Sequence, residues 1–261
     1  MNKLYDRFEQ KVLIGKPKLQ WLFESLHRFS LRGMNYDQVQ SIDKSGEVFV
    51  IHYVHDKLTK QRELILFDVG ANVGEYSRIL EAQFPSSRIY SFEALPSTFE
   101  ILRANLQGHK NITYVNQALG ALEEKRLIYS DGAGSGLSSF YPIEGETDKK
   151  LEVTSIPVTT IDLFCARHGI AQIDFLKIDV EGFELEVLKG AERMIQNRKI
   201  SIIQFEFGSN HINSGTHLYS IFQYLSDYRI SRVLKNGLRT YKQYHKEWEI
   251  YLAANYLAEL R

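Results

Sequence analysis

From Leu64 onward, short apolar runs alternate with longer segments of mixed polarity. Leu64–Val69 reads as a strand buried on both faces, and Arg88–Phe92, Ile112–Val115, Ile173–Asp179 and Ile200–Phe205 repeat its form. Helices are predicted between them: from Gly74 to about Phe84, from Pro96 to about Leu106, over Ile161–His168, and over about Phe183–Asn197 and His217–Ser226. Ser97 and Glu100 have the spacing of a capping box, and Thr216 is placed to cap the helix at His217. Repeated β–α units predict a mainly parallel sheet with helices on both faces. Arg229–Leu234 and Glu249–Ala254 read as closing strands around the turn-rich segment Lys235–Glu247, which implies an antiparallel edge strand.

Two regions break this rhythm. Arg126–Tyr129 and Glu152–Val158 look extended, and the Gly- and Ser-rich stretch between them predicts an inserted, exposed mobile loop at about 130–150. Its segment Asp131–Ser139 is expected to lie over the acceptor site. Residues 1–32 carry apolar positions at largely helical spacing, interrupted near Gly15 and Pro17, and 47–54 (EVFVIHYV) reads as a strand. The expected organisation is an N-terminal helical and strand extension over 1–63, followed by one domain over 64–261.

Composition narrows the function. The 261 residues contain 32 Lys+Arg and 32 Asp+Glu, so the formal net charge is zero and a nucleic-acid partner is disfavoured. Cys165 is the single cysteine, which forbids an intrachain disulfide; with no signal-peptide pattern this points to the cytoplasm. No apolar run is long enough to span a membrane. The amphipathic N-terminal segment lacks a strongly basic face, so it is expected to pack or to pair two subunits in a homodimer rather than lie on a membrane.

In open α/β sheets the ligand crevice lies at the carboxyl ends of the strands. Here the first strand ends Phe67-Asp68-Val69-Gly70-Ala71-Asn72-Val73-Gly74. A dinucleotide fingerprint would need a second glycine where Asn72 stands, so no pyrophosphate cradle is evident. Asp68 is unwelcome beside phosphates but suits a cation or an amino group. The plain alternative is a β–α turn with Asp68 capping the helix. Glu93 then ends the second strand, nineteen residues after Gly74, at the distance from which an acid reaches ribose hydroxyls. The pair implies an adenosyl ligand without a phosphate requirement.

Asp68-x-Gly70-x-Asn72-x-Gly74, Phe92-Glu93-Ala94-x-Pro96, Asn116-Gln117-Ala118-Leu119-Gly120 and Leu176-Lys177-Ile178-Asp179-Val180-Glu181-Gly182-Phe183-Glu184 together resemble FkbM-type methyltransferases over about residues 64–207. The last motif is the most specific; Ala94 stands where the family often has Pro. The resemblance implies a class I, Rossmann-like fold and S-adenosylmethionine as cofactor. It also implies O-methylation, often of sugar units in polysaccharides or of natural products, hence a small-molecule or glycan hydroxyl acceptor. It would put Asp68, Gly70, Asn72 and Gly74 on the methionine and ribose side, with Tyr76, Ser77 and Asp179 also near the cofactor. Glu93 would hold the ribose hydroxyls, Ala94 and Leu95 would pack on the adenine, and Gln117 and Ala118 would sit at its edge. The competing classes are a nicotinamide-dependent oxidoreductase and a catalytically silent adenosyl-binding protein.

Asp179 ends one strand and Glu206 the next, and adjacent parallel strands would bring them to one crevice. Three readings stay open. Asp179 and Glu206 could orient the acceptor, one of them taking the proton of its hydroxyl. Asp179, Glu181 and Glu206 could ligate a divalent cation, for which Mg²⁺ fits oxygen donors but no dense acidic cluster demands it. Or the acids could be structural, paired with Lys177 or capping the helix after Gly182. His211 is the reserve base, although His211 and His217 read more simply as solvated loop residues. Tyr241, Tyr244 and Trp248 could offer a platform to a sugar ring, or be core.

Overall fold

The computed structural model describes residues 9–38, 41–58, 63–136, 138–142 and 151–261. After a π-helical turn (Glu9–Leu13) and a 3-10 turn (Pro17–Leu19), three α-helices precede the sheet among the described residues: α1 (Gln20–Gly33), α2 (Ile42–Ser45) and α3 (Glu47–Lys57). The alternation then runs β1 (Ile65–Val69), α4 (Glu75–Gln83), β2 (Arg88–Phe92), α5 (Pro96–Asn105) and β3 (Ile112–Val115). A side ladder of β4 (Ala118–Leu119), β5 (Glu124–Ser130) and β6 (Glu152–Thr159) interrupts it. It resumes with α6 (Ile161–His168), β7 (Ile173–Ile178), α7 (Glu184–Lys189), α8 (Glu192–Gln196) and β8 (Ile200–Phe207). The chain closes with α9 (Asn210–Ser214), α10 (Leu218–Tyr224), β9 (Tyr228–Leu234), β10 (Gly237–Thr240) and β11 (Ala254–Leu260).

The main sheet has the order β10-β9-β11-β8-β7-β1-β2-β3. Strands β3, β2, β1, β7 and β8 are parallel neighbours. Strand β10 gives the expected antiparallel edge, and β11 lies antiparallel inside the sheet between β8 and β9. Helices α3, α4 and α5 cover one face with Val50, Ile51, Val54, Leu80 and Leu102. Helices α6, α7, α8 and α10 cover the other with Ile161, Phe164, Val187, Leu188, Ile195 and Ile221. The direction of strand addition reverses between β1 and β7, so the crevice opens at the ends of those two strands. Among the described residues, no helix is long and apolar enough to cross a membrane.

Several elements differ from expectation for identifiable reasons. Residues 47–54 form helix α3, not a strand. The buried positions Glu47, Val50, Ile51 and Val54 follow a helical i, i+3, i+4, i+7 spacing, which overrides the β-branched composition. The segment Phe183–Asn197 is two helices. Gly190 separates them where a Cβ would meet Gly120 O at 2.0 Å, and Asp162 accepts the Arg193 and Met194 N–H groups that start α8. The last strand is Ala254–Leu260 rather than Glu249–Ala254, because Tyr256, Leu257 and Ala258 fill both faces of the sheet. No capping box forms at Ser97: Pro96 opens α5 behind Leu95, and Glu100 pairs with Arg103. Thr216 does not cap α10 either, since Glu249 accepts the N–H groups of Leu218 and Tyr219 from across the fold. Residues 143–150 of the expected inserted loop lie outside the described residues.

Candidate active site

Two cavities meet at the β1/β7 crevice. The first, of about 150 Å³, is lined by Gly70 and Asn72 after β1, Glu93 and Ala94 after β2, and Gln117 and Ala118 at β4. Asp179 and Glu181 close it on the β7 side. Its walls are tied together by the backbone. Gly70 has φ +84°, and a Cβ there would lie 1.7 Å from Asp179 O, while Asp179 N–H donates to Val69 O at 2.9 Å. Asn72, also left-handed at φ 47°, donates its N–H to Glu93 Oε2 at 3.0 Å. Leu95 N–H donates to Glu93 Oε1 at 2.8 Å. Burial pushes the Glu93 carboxyl up to about 7, against the pull of the Leu95 and Asn72 N–H groups. Asn72 Oδ1 is buried with no hydrogen-bond partner. No Lys or Arg stands among the described lining residues.

The second cavity, of about 310 Å³, is acidic. Asp179 and Glu181 line it as well, joined by Glu206 at β8, Glu47 from α3 and Asp37. Asn210, His211, Tyr251 and Asn255 complete its polar wall. Carboxylate oxygens of Asp179, Glu181 and Glu206 all lie within 4.8 Å of one another. The nearby buried cation is Lys177, with Nζ 3.1 Å from Asp179 Oδ2 and 3.7 Å from Asp68 Oδ1. Burial works against the Lys177 charge, but Asp179, Asp68 and Glu47 outweigh it and hold the ammonium above its ordinary range. Burial, then the charges of Asp179, Glu181 and Glu184, raise Glu206 well above the usual carboxylate range. Glu181 is raised in the same way by burial, Asp179 and Glu184, opposed by the amide of Asn210 that donates to it.

The turn that presents these acids is pinned from below. Glu181 (φ 53°) and Gly182 (φ 97°) are left-handed, and a Cβ on Gly182 would meet Asn210 O at 2.7 Å. Glu184 is fully buried and accepts the Val180 and Gly182 N–H groups at 2.9 and 3.0 Å. His211 is buried in α9 rather than solvated in a loop. Its Nδ1 accepts the Gly208 N–H at 3.2 Å, and its Nε2 faces Glu184 Oε2 at 2.9 Å, off the hydrogen-bond direction. His217 is exposed and contacts the Tyr251 hydroxyl.

The remaining named residues sit outside the cavity lining. Asp68 is fully buried and accepts from Ser77 Oγ at 2.6 Å, and Ser77 Oγ bonds Ser91 Oγ at 2.6 Å. It does not cap α4, whose cap is Gly74. Tyr76 OH donates to Gln204 Oε1 at 2.8 Å, and Gln204 donates on to Asn255. Gly74 approaches Leu106, and Leu95 is buried. Tyr241 and Trp248 stack on each other with centroids 3.9 Å apart and pack with the core, and Tyr241 and Tyr244 line a cavity separate from the acidic one. Sequence reasoning did not assign roles to Glu47, Asn210, Asn255 or Tyr251. Glu184 stood inside the quoted motif, where its spacing gave the only signal for it.

The loop after β5 contributes Ser135, Gly136 and Ser138 to the first cavity, not the acidic one. Gly134 N–H donates to Thr98 Oγ1 at 3.0 Å, and Ser139 Oγ donates to Glu181 O at 2.8 Å. The expected cover therefore lies on the opposite side of Asp179 from the acidic cavity. Amide exchange over residues 131–136 should slow when S-adenosylhomocysteine is added and stay unchanged with an acceptor alone. Slowing with the acceptor alone would restore the original placement.

Comparison with known proteins agrees with this architecture. The methyltransferase FkbM domain matches residues 68–253. Methyltransferase sdnD of Sordaria araneosa is 26% identical over 200 residues, covering 63% of this chain and 73% of that protein. The 31-O-demethyl-FK506 methyltransferase FkbM of Streptomyces tacrolimicus is 28% identical over 157 residues, covering 49% and 59%. The hexuronic acid methyltransferase AglP of Haloferax volcanii is 27% identical over 169 residues, covering 64% and 65%. This chain thus spans less than two thirds of the last two proteins.

Proposed function

The chain belongs to the methyltransferase FkbM family, S-adenosylmethionine-dependent enzymes, and we propose that it methylates a hydroxyl oxygen of a neutral polyol such as a sugar unit. The observation that carries this reading is the shared wall: Asp179 and Glu181 border both cavities, so a donor on one side and an acceptor on the other would meet there. The first cavity fits the cofactor chemically. Asn72 Oδ1 lacks a partner, Glu93 is held by two backbone N–H groups, and the absence of a lining cation suits an adenosyl sulfonium better than a dinucleotide. When bound, S-adenosylmethionine supplies an electrophilic methyl group. We assign its binding to Gly70, Asn72, Glu93, Ala94, Gln117, Ala118 and Asp179. Asp68, Tyr76, Ser77, Gly74 and Leu95 support that wall from behind.

On the acceptor side, Glu206 is the base. Burial and the neighbouring acids raise the proton affinity of its carboxylate, which favours taking a hydroxyl proton during attack once the group is ionised. Asp179, braced by Lys177, orients the hydroxyl, while Asn210, Asn255 and Tyr251 offer hydrogen bonds to further hydroxyls. A second reading rests on the proximity of the three carboxylates, a set that could hold a hard divalent cation such as Mg²⁺. AglP is named for a hexuronic acid. Here an anionic acceptor would face Asp179, Glu181, Glu206, Glu47 and Asp37, with no Lys or Arg among the described lining residues. Labelled-methyl transfer should therefore favour neutral hexoses over hexuronates; preference for a hexuronate would overturn the proposed acceptor class.

The Glu93 proton gives this reading a pH signature. A carboxylate accepts ribose hydroxyls better than a carboxylic acid does, so S-adenosylhomocysteine affinity should rise as pH passes through about 7. In Glu93→Gln the affinity should be lower and flat from pH 6 to pH 8; a retained rise would remove Glu93 from the ribose role. The sign for folding is opposite. The native state holds a proton that the unfolded chain releases above 4.5, so this group's contribution to stability falls as pH rises from 4.5 to about 7.

A further inference from the structure

Helix α1 stands almost wholly outside the core, and Leu31 is its one buried residue. Phe29 is 76% exposed, Trp21 66% and Leu26 51%. Leu22, Leu26 and Phe29 form one row at i, i+4 and i+7, flanked by Phe23. Trp21, Arg28 and Arg32 form the adjoining row, at i, i+7 and i+11. Lys16 and Lys18 precede the helix, and Glu24 is its sole acid. Among the described residues, Lys18, Arg28 and Arg32 are in no ion pair. A neutral chain thus carries a local cationic charge beside an exposed apolar row.

We propose that α1 docks the protein on an anionic lipid surface. The apolar row would enter the acyl boundary, Trp21 would sit at the headgroup level, and the arginine and lysine flank would meet anionic headgroups. The basic flank that the sequence did not make evident is the Arg28–Arg32 row, which appears only once the helical register is fixed. A second copy is the poorer occupant, because pairing two such faces would bring two cationic flanks together. The docked helix would also bear on the active site. Met34 ends it, Asp37 N–H donates to Ala253 O at 2.8 Å, and Asp37 lines the acidic cavity. Docking would therefore hold the mouth of the acceptor cavity near the lipid surface.

The test is cosedimentation of the full chain with vesicles of phosphatidylcholine containing one third phosphatidylglycerol, at low salt. The protein should partition onto these and not onto pure phosphatidylcholine. The double variant Leu26→Glu/Phe29→Glu should lose at least tenfold in partition, and Arg28→Glu/Arg32→Glu should lose several-fold, both with unchanged S-adenosylhomocysteine affinity as the sign of an intact fold. Three outcomes would overturn the proposal: the parent stays in the supernatant, both variants partition like the parent, or sedimentation shows a dimer that Phe29→Glu dissociates.

Discussion

Glu206→Gln is expected to lower kcat by about 10²–10⁴-fold, the usual cost of losing a general base, while cofactor affinity stays within a few fold. Asp179→Asn should also lower kcat strongly, through misplacement of the acceptor rather than loss of a proton acceptor. In the parent, kcat should rise with pH along a limb displaced above the ordinary carboxylate range, because burial and the neighbouring acids keep Glu206 protonated at low pH. That limb should vanish in Glu206→Gln. The competing readings give different patterns on the same preparation. If the carboxylates hold Mg²⁺, a chelator abolishes activity in the parent and Mg²⁺ restores it. If they are structural, thermal stability and cofactor binding fall together in the variants. Full activity in both variants would defeat the proposed roles and leave Glu181 as the remaining base, since His211 is engaged with Glu184 and Gly208.

The parallel half of the fold was legible because buried strands β1, β2, β3, β7 and β8 are short apolar runs followed by turn residues, a pattern fixed by local sequence. What escaped depends on contacts distant in sequence. Residues 47–54 read as a strand because Val and Ile dominate them, and only packing against Leu66 and Phe175 settles them as a helix. That misreading also hid Glu47, which enters the acidic cavity only from a helix laid across the sheet. The meeting of Asp179 with Glu206 followed from strand adjacency, since Ile178 pairs with Phe205 one residue earlier. The burial of Asp68 did not follow. Its position in the motif suits a ligand contact, whereas Ser77 and Lys177 turn it into the brace behind one.

Gly70→Ala is expected to unfold the site rather than tune it. The position has φ +84°, where an L side chain costs about 1–2 kcal/mol. The added Cβ would also lie 1.7 Å from Asp179 O, a backbone atom that no rotamer can move aside. Forcing such contacts costs about a further 1–3 kcal/mol when the surroundings can shift. Here the shift must separate β1 from β7, because Asp179 N–H is bonded to Val69 O and the next turn carries Glu181 and Gly182 in left-handed conformations. Cofactor binding and acceptor positioning would therefore fail together, unlike in Glu206→Gln, where only turnover should fall. Urea denaturation should show a loss of about 2–5 kcal/mol, and calorimetry should find no S-adenosylhomocysteine binding. The control is Gly108→Ala, at a glycine with φ +94° and no atom within 4 Å of the added Cβ. It should keep cofactor binding and lose stability only through its own backbone strain. A Gly70→Ala protein that is as stable as this control and binds the cofactor normally would show that the close approach of the two turns does not hold the site together.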